Sequence, residues 1–148
     1  MTVPRWVPAT IVVLVVAAAS AWWMRDRMAA APQADVPTGT VLQTVRSGDV
    51  AITVSSEAGT LRTGDNRFRI EFRSTGNNEL VDVGTVTLNA NMTMPGMAMN
   101  GLTLVSRGER PGVYEVTSSF GMSGSWDMTL DWNGPAGRGS AAFKGSVQ

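Results

Sequence analysis

The sequence predicts an all-β protein, an antiparallel β-sandwich of about seven or eight strands preceded by one N-terminal transmembrane helix. Three observations support this prediction. An uncharged apolar run lies close to the N-terminus, as in a segment that crosses a bilayer. From about Val41 onward, apolar and polar residues alternate with period two, which is typical of strands with one buried face. Gly-rich polar turns separate the alternating runs and leave little room for helices.

The apolar run extends from Trp6 to Trp23 and contains no charged residue. As a helix it is roughly 27 Å long, close to the hydrocarbon thickness of a bilayer, and its terminal tryptophans suit the two membrane interfaces. A cleaved signal peptide is the alternative, because Ala29–Ala31 offers small residues to a peptidase. The charged residues Arg25–Arg27 stand between the run and that site. We therefore expect an uncleaved anchor over residues 1–28.

The residues that flank the anchor suggest where the protein lies. Arginines occur on both sides of the run, so the positive-inside rule gives no orientation. The short N-terminal tail is similar to that of a signal anchor whose body is exported. We expect a single-pass protein of the bacterial cytoplasmic (inner) membrane, with its C-terminal domain in the periplasm or outside the cell. Residues 29–40 are rich in Ala and Pro and form a semi-extended linker to a domain at 41–148.

Three runs carry the period-two pattern most clearly, and further strands are expected around Ile52, Leu88 and Phe143. The strand number and spacing predict an immunoglobulin-like sandwich. The predicted core residues of the three runs are Phe68, Ile70 and Phe72; Tyr114, Val116 and Phe120; and Trp126, Met128, Leu130 and Trp132. The predicted solvent-facing residues are Arg67, Arg69, Glu71 and Arg73; Val113, Glu115, Thr117 and Ser119; and Ser125, Asp127, Thr129 and Asp131.

The composition excludes most catalytic and metal sites. The chain of 148 residues has no Cys and no His, so it lacks a thiolate nucleophile, an imidazole base and the ordinary zinc ligands. Its 12 Lys and Arg balance 12 Asp and Glu, which argues against nucleic-acid binding. We expect no enzymatic activity. The 9 methionines remain as soft thioether ligands that suit Cu(I).

Methionines are concentrated in the segment Met92–Met99, with Met122 and Met128 further along the chain. Three or four converging thioethers can hold monovalent copper without the charge cost of thiolates. Pro95–Gly96 should break the strand, so that Met92 and Met94 leave on one arm and Met97 and Met99 return on the other. Asn100–Gly101 is then predicted to close a tight hairpin, in which Met99 faces Leu102 and Met97 faces Leu104.

The alternative is that these methionines are ordinary core residues. Met92 and Met94 continue the parity of Val86 and Leu88, which is the inward face of a predicted strand. Met128 shares its strand face with two tryptophans and is interpreted as core, whereas Met122 fits either interpretation. Methionine is a routine filler of irregular cores, so the spacing leaves both alternatives open.

Four segments together resemble the YtkA-like domain family, which is close to FixH-type proteins. They are Gly64–Phe72, Asn91–Met99, Pro111–Tyr114 and Phe120–Met128, and the resemblance covers roughly Gly59 to Trp132. It implies a small immunoglobulin-like sandwich outside the cytoplasmic membrane, associated with copper handling in cytochrome oxidase maturation and heavy-metal efflux. Family members often carry His near the methionine block, whereas this chain has Asn100 there and no His.

These inferences predict a membrane-anchored, exported copper-handling protein that binds Cu(I) and exchanges it with a membrane-protein partner, a copper-dependent oxidase or a metal efflux system. The expected metal ligands are Met92, Met94, Met97, Met99 and Met122. The alternative is a metal-free accessory subunit of a larger membrane complex, whose methionines serve as an apolar contact patch.

Overall fold

The computed structural model describes residues 39–148, which contain eight β-strands. The predicted anchor at Trp6–Trp23 and most of the linker lie outside the described residues. Over 39–148 no helix has the length and apolarity needed to span a bilayer. The strands are β1 Thr40–Ser47, β2 Val50–Ser56, β3 Gly64–Ser74, β4 Thr85–Met94, β5 Met97–Arg107, β6 Val113–Phe120, β7 Gly124–Gly134 and β8 Gly137–Val147.

All strand pairings are antiparallel, in the order β1-β2-β3-β6-β5-β4-β7-β8. Strand β5 divides its pairing between two neighbours. Its first half, Met97–Gly101, pairs with β4, and its second half, Leu102–Arg107, pairs with β6. The sheet therefore folds at β5 into two layers, with β1, β2, β3 and β6 in one and β4, β7 and β8 in the other. The predicted all-β antiparallel architecture is confirmed.

The core lies between the two layers. Phe72 of β3 meets Trp132 of β7 edge-on, with ring centroids 5.4 Å apart, and it meets Tyr114 of β6 at 5.5 Å. The ring of Trp132 also lies against Gly139 on β8. An added Cβ at Gly139 would fall 2.3 Å from the ring. Aromatic packing of this kind couples the layers through large buried surfaces.

The predicted faces of the three clearest strands are confirmed at most positions. All ten residues predicted to face the core are buried, from Phe68 on β3 to Trp132 on β7. Two residues predicted to face solvent are instead buried: Glu71 at 2% exposure and Val113 at 5%. Period two indicates which side of a sheet a residue occupies, but not what covers that side. Gly108 lies against the Val113 side chain, and the Arg73 guanidinium is hydrogen-bonded to Glu71.

The β4–β5 connection follows the sequence prediction at one dipeptide and contradicts it at another. Pro95–Gly96 forms the turn, as expected, and Gly96 has a φ of +77°. Proline followed by a residue with positive φ is the signature of a type II turn. The predicted hairpin at Asn100–Gly101 is wrong, because both residues lie inside β5. Met99 therefore faces Met92 rather than Leu102, and Met97 faces Met94 rather than Leu104.

Candidate metal centre

The register of the β4–β5 hairpin places four methionines on one face of the sheet. Met92 stands opposite Met99, and Met94 stands opposite Met97 at the turn. Residues two apart on a strand share a face, and directly opposed residues share it too, with Cβ atoms about 4.5–5.5 Å apart. The four residues therefore form a two-by-two array, which we call the methionine block.

Exposure within the methionine block rises toward the turn. Met92 is buried at 5% exposure and belongs to the core, whereas Met97 is exposed at 57%. Met94 and Met99 are half-buried and pack against the core from its edge. The array thus runs from the interior of the sandwich to solvent within two residue steps.

The connection between β6 and β7 lies against the methionine block. An added Cβ at Gly124 would fall 2.7 Å from the Cε of Met92, and one at Gly121 would fall 3.0 Å from the Cε of Met99. The two glycines thus leave room for the methionine side chains. Met122 lies between them in sequence and is half-buried against the core. The fifth predicted ligand therefore belongs to the loop that contacts the block.

Two aromatic rings, those of Phe120 and Trp126, lie close to Gly101, two residues along β5 from Met99. Trp126 donates a hydrogen bond from its indole Nε1 to the carbonyl of Met122 at 3.1 Å, which ties the loop to β7. Phe120 and Trp126 lie with ring centroids 5.0 Å apart. Both rings come within 3.4 Å of the place where a Cβ of Gly101 would stand. Glycine at this position lets the rings pass beneath β5, next to Met99.

Sequence reasoning missed Gly101, Gly121 and Gly124 as parts of this region. A signal was present, since Gly121 and Gly124 bracket Met122 in the only other short segment with Met and Gly interleaved. Gly101 was instead assigned to a turn because Asn-Gly is a strong hairpin signal. Its role in packing depends on the position of Trp126, which the local sequence does not specify.

Met128 belongs to the core, as the sequence analysis interpreted it. It is 1% exposed, pairs with Ala90 and Phe143 on the neighbouring strands, and has its Cε against Gly145. The carboxylates show no alternative centre: across residues 39–148, no three Asp or Glu side chains come together in a way that could hold a metal ion.

The two chain segments that contain the methionine block and the connection against it carry no charged residue. No charged residue occurs between Asp82 and Arg107, which includes the whole hairpin, or between Glu115 and Asp127, which includes the contacting loop. Thioether sulfurs are themselves neutral, soft and polarizable. Hard divalent cations need charged oxygen ligands, whereas Cu(I) accepts neutral sulfur donors. The donor set and its partial burial therefore fit a monovalent soft cation.

The chain was compared with curated proteins, solved structures and family models. Among curated proteins there is no match. The crystal structure of the Lin-41 filamin domain is similar at a TM-score of 0.44 and 9% sequence identity, covering 72% of this chain and 98% of that one. The family model described as YtkA-like matches residues 43–131, from β1 to β7 and including the methionine block. The chain belongs to the YtkA-like family.

Proposed function

We propose that this protein binds Cu(I) through the methionine block, Met92, Met94, Met97 and Met99, with Met122 as an additional ligand. The observation that carries the proposal is the hairpin register, which places four thioethers on one face in two opposed pairs. An ordinary core does not need this arrangement, since Met97 at 57% exposure contributes little to the buried surface.

The exposure gradient suggests how copper enters and leaves. Met97 and the half-buried Met94 stand at the hairpin turn, where an incoming ligand from another protein can reach the metal. At the inner end of the block, Met99 lies against Gly121 in the β6–β7 connection and Met92 lies against Gly124 at the start of β7. Neutral thioethers bind Cu(I) without a strong charge attraction, so ligand exchange with a partner does not require separating opposite charges.

The proposed setting is a bacterial cytoplasmic membrane, with the sandwich in the periplasm or outside the cell. Its support is the uncharged run Trp6–Trp23 and the linker rich in Ala and Pro that follows it. In this setting the partner is a membrane protein that takes up or supplies copper, a copper-dependent oxidase or a metal efflux system. The protein acts as a metal-transfer partner and performs no catalysis.

The test is an anaerobic Cu(I) titration, under reducing conditions, against a competing chromogenic chelator. The fragment from Asp35 to Gln148 contains all eight strands and their shared core and serves as the sample. One tight equivalent is expected. The variant with Leu at positions 92, 94, 97 and 99 should lose the binding and keep its circular dichroism spectrum, because Leu and Met have similar volumes. Met128→Leu is the matched control and should bind as the parent does.

A second candidate function is a metal-free interaction module. The observation that favours it is the exposure of apolar side chains on both faces of β5, Met97 on one face and Leu102 and Leu104 on the other. Copurification of a stoichiometric partner that survives the four Met-to-Leu replacements, with no copper bound, would select this function. Equal copper binding by the parent and the four-residue variant would reject the methionine site.

A further inference from the structure

The sandwich has a seam between its first and last strands. In the described part of the chain, the sheet ladder pairs β1 only with β2, and β8 only with β7. Two contacts close the seam at its ends. The Ser47 hydroxyl donates a 3.0 Å hydrogen bond to the Ser140 carbonyl at one end, and Leu61 forms a bridge with Val147 at the other. The stretches of β1 and β8 between these contacts form no ladder with each other.

A partly open cavity of about 290 Å³ lies in this seam. Protein interiors leave few voids larger than a water molecule, because each missing contact lowers stability. A cavity of this size beside the core therefore indicates room for an occupant. Its lining includes six apolar residues, all of them buried except the half-buried Leu42: Leu42, Val54, Leu61, Phe68, Met128 and Phe143.

A β-bulge in β1 brings a polar side chain to this cavity. The register with β2 shifts after Val41, so that Leu42 is the extra residue and Gln43 stands opposite Val54 of the core. Directly opposed residues share a face of the sheet, so the half-buried Gln43 faces the interior of the sandwich. Over residues 39–148 its side-chain amide has no hydrogen-bond partner. Bulges re-aim side chains in this way next to functional sites.

The cavity offers no charged group to a ligand. Among the described residues that line it, Lys144 is the only one with a charged side chain. That side chain is exposed on the outer face of β8, where its ammonium is paired with Asp127 of β7. Because a buried charge needs an opposite charge beside it, a charged ligand has no counterpart here.

We infer that this cavity binds a small neutral amphiphile. Its alkyl chain packs against Phe68, Met128 and Phe143, and its neutral head group is hydrogen-bonded to the Gln43 amide. Water alone would satisfy the amide and leave the apolar walls wet, whereas a pure hydrocarbon would cover the walls and leave the amide unpaired. Small-molecule sites commonly combine apolar walls with a few polar groups that orient the ligand. The site is separate from the methionine block, none of whose members lines the cavity.

The test uses 1-octanol as the probe, with octanoate as the matched ligand that carries a charge on a similar alkyl chain. The metal-free fragment from Asp35 to Gln148 is titrated, and its backbone amides are followed by NMR. 1-Octanol should shift the amide signals of Gln43, Thr60 and Gly145 saturably and leave that of Gly96, at the β4–β5 turn, unchanged. Octanoate should need a several-fold higher concentration for the same shifts.

Two variants with matched controls identify the residues responsible. Leu42→Trp fills the cavity and should abolish the shifts, whereas Val41→Trp, at an outer position that is 46% exposed, should bind as the parent does. Gln43→Leu should weaken 1-octanol binding several-fold, and Thr44→Leu, on the exposed side of β1, should not.

Shifts that do not saturate in the parent, or that spread evenly over the domain, would overturn the inference without reference to any variant. Equal binding of 1-octanol by the parent and a folded Leu42→Trp would overturn the location. Equal affinity for octanoate and 1-octanol, or an undiminished affinity in Gln43→Leu, would overturn the assignment of a neutral head group to Gln43.

Discussion

The hydroxyl of Tyr114 donates a 2.7 Å hydrogen bond to the carbonyl of Gly84, and the bond is buried. Tyr114 lies on β6 in one layer, whereas Gly84 immediately precedes β4 in the other. Gly84 packs so tightly against Asn133 that an added Cβ would fall 2.4 Å from the Asn133 carbonyl oxygen. The hydrogen bond thus fixes the start of β4 to the opposite layer.

Replacing Tyr114 with Phe should lower the free energy of unfolding by about 1–3 kcal/mol, because the Gly84 carbonyl loses its buried partner. Denaturation by urea, monitored by tryptophan fluorescence, measures the change. Ser106→Ala is a suitable comparison, because the exposed Ser106 hydroxyl accounts for a single 3.3 Å bond to a backbone carbonyl and its loss should change stability little. A Phe variant as stable as the parent would show that the hydrogen bond contributes nothing.

The same tyrosine predicts a loss of stability at alkaline pH. Burial raises the pKa of Tyr114 above its ordinary value of 10.0, and Asp82 raises it further, while Arg107 opposes both. The folded protein therefore retains a proton that the unfolded chain releases. The stability that the protonated Tyr114 contributes is fully present below about pH 10, and it is lost as the pH rises through the folded-state pKa. The chain contains 1 tyrosine, so the absorbance of tyrosinate followed against pH measures the ionisation of Tyr114. Tyr114→Phe should remove this component of the alkaline loss.

Two Glu–Arg pairs on β3 and β6 differ mainly in burial. Glu71 and Arg73 are joined at 2.9 Å, with side chains only 3% and 12% exposed. Glu115 and Arg69 are joined at 2.8 Å, with side chains 48% and 32% exposed. Removing one member of a buried pair costs about 3–5 kcal/mol, whereas an exposed pair contributes about 0–1 kcal/mol. Glu71→Ala should therefore destabilise the fold far more than Glu115→Ala, as measured by thermal unfolding. Equal effects would contradict the role of burial.

Truncating two residues of the methionine block should have unequal effects on stability. Met92 is 5% exposed and Met97 is 57% exposed. Met92→Ala removes buried surface and should cost about 2–5 kcal/mol, whereas Met97→Ala should change stability by no more than about 0.5 kcal/mol. Chemical denaturation of the metal-free fragment measures both. A large loss of stability for Met97→Ala would mean that the outer methionines are structural.

A single added methyl group should disturb the packing of Trp132. A Cβ at position 139 would stand 2.3 Å from the indole ring, which is held between the layers and cannot withdraw easily. Gly139→Ala should therefore cost about 1–3 kcal/mol through overpacking. The neighbouring Ser140→Ala, on the exposed side of β8, provides the control and should be nearly neutral. Equal melting temperatures for the two variants would show that the ring accommodates the methyl group.

Local sequence predicted the strands and most of their faces, because period-two alternation directly reflects a half-buried sheet. It also located the Pro95–Gly96 turn, where both residues have strong conformational preferences. Its errors concern side-chain contacts that alternation along a strand does not describe. Glu71 is buried beneath Arg73, and Gly101 is required by the aromatic rings below it rather than by a turn.

The methionine block shows the same limit. The sequence identified its members, but the pairing of Met92 with Met99 depends on which of two possible turns forms the hairpin. Both Pro95–Gly96 and Asn100–Gly101 are acceptable turn sequences. In the structure the turn is at Pro95–Gly96, and Gly101 lies within β5 against the rings of Trp126 and Phe120, which belong to other strands. Gly121 lies against Met99, and Gly124, the first residue of β7, lies against Met92 and also has a positive φ of +136° that favours glycine.

Strand β5 has a consequence for how the domain folds and melts. Since one strand supplies hydrogen bonds to both layers, neither layer can separate without removing a neighbour from the other. Unfolding should therefore be cooperative, with no state in which a single layer persists. Some contacts join parts of the chain that are far apart in sequence. The hydroxyl of Ser47, at the end of β1, donates a hydrogen bond to the Ser140 carbonyl on β8, and Leu61 pairs with Val147. Such long-range contacts slow folding, so this small domain should reach its native state in milliseconds to seconds rather than microseconds.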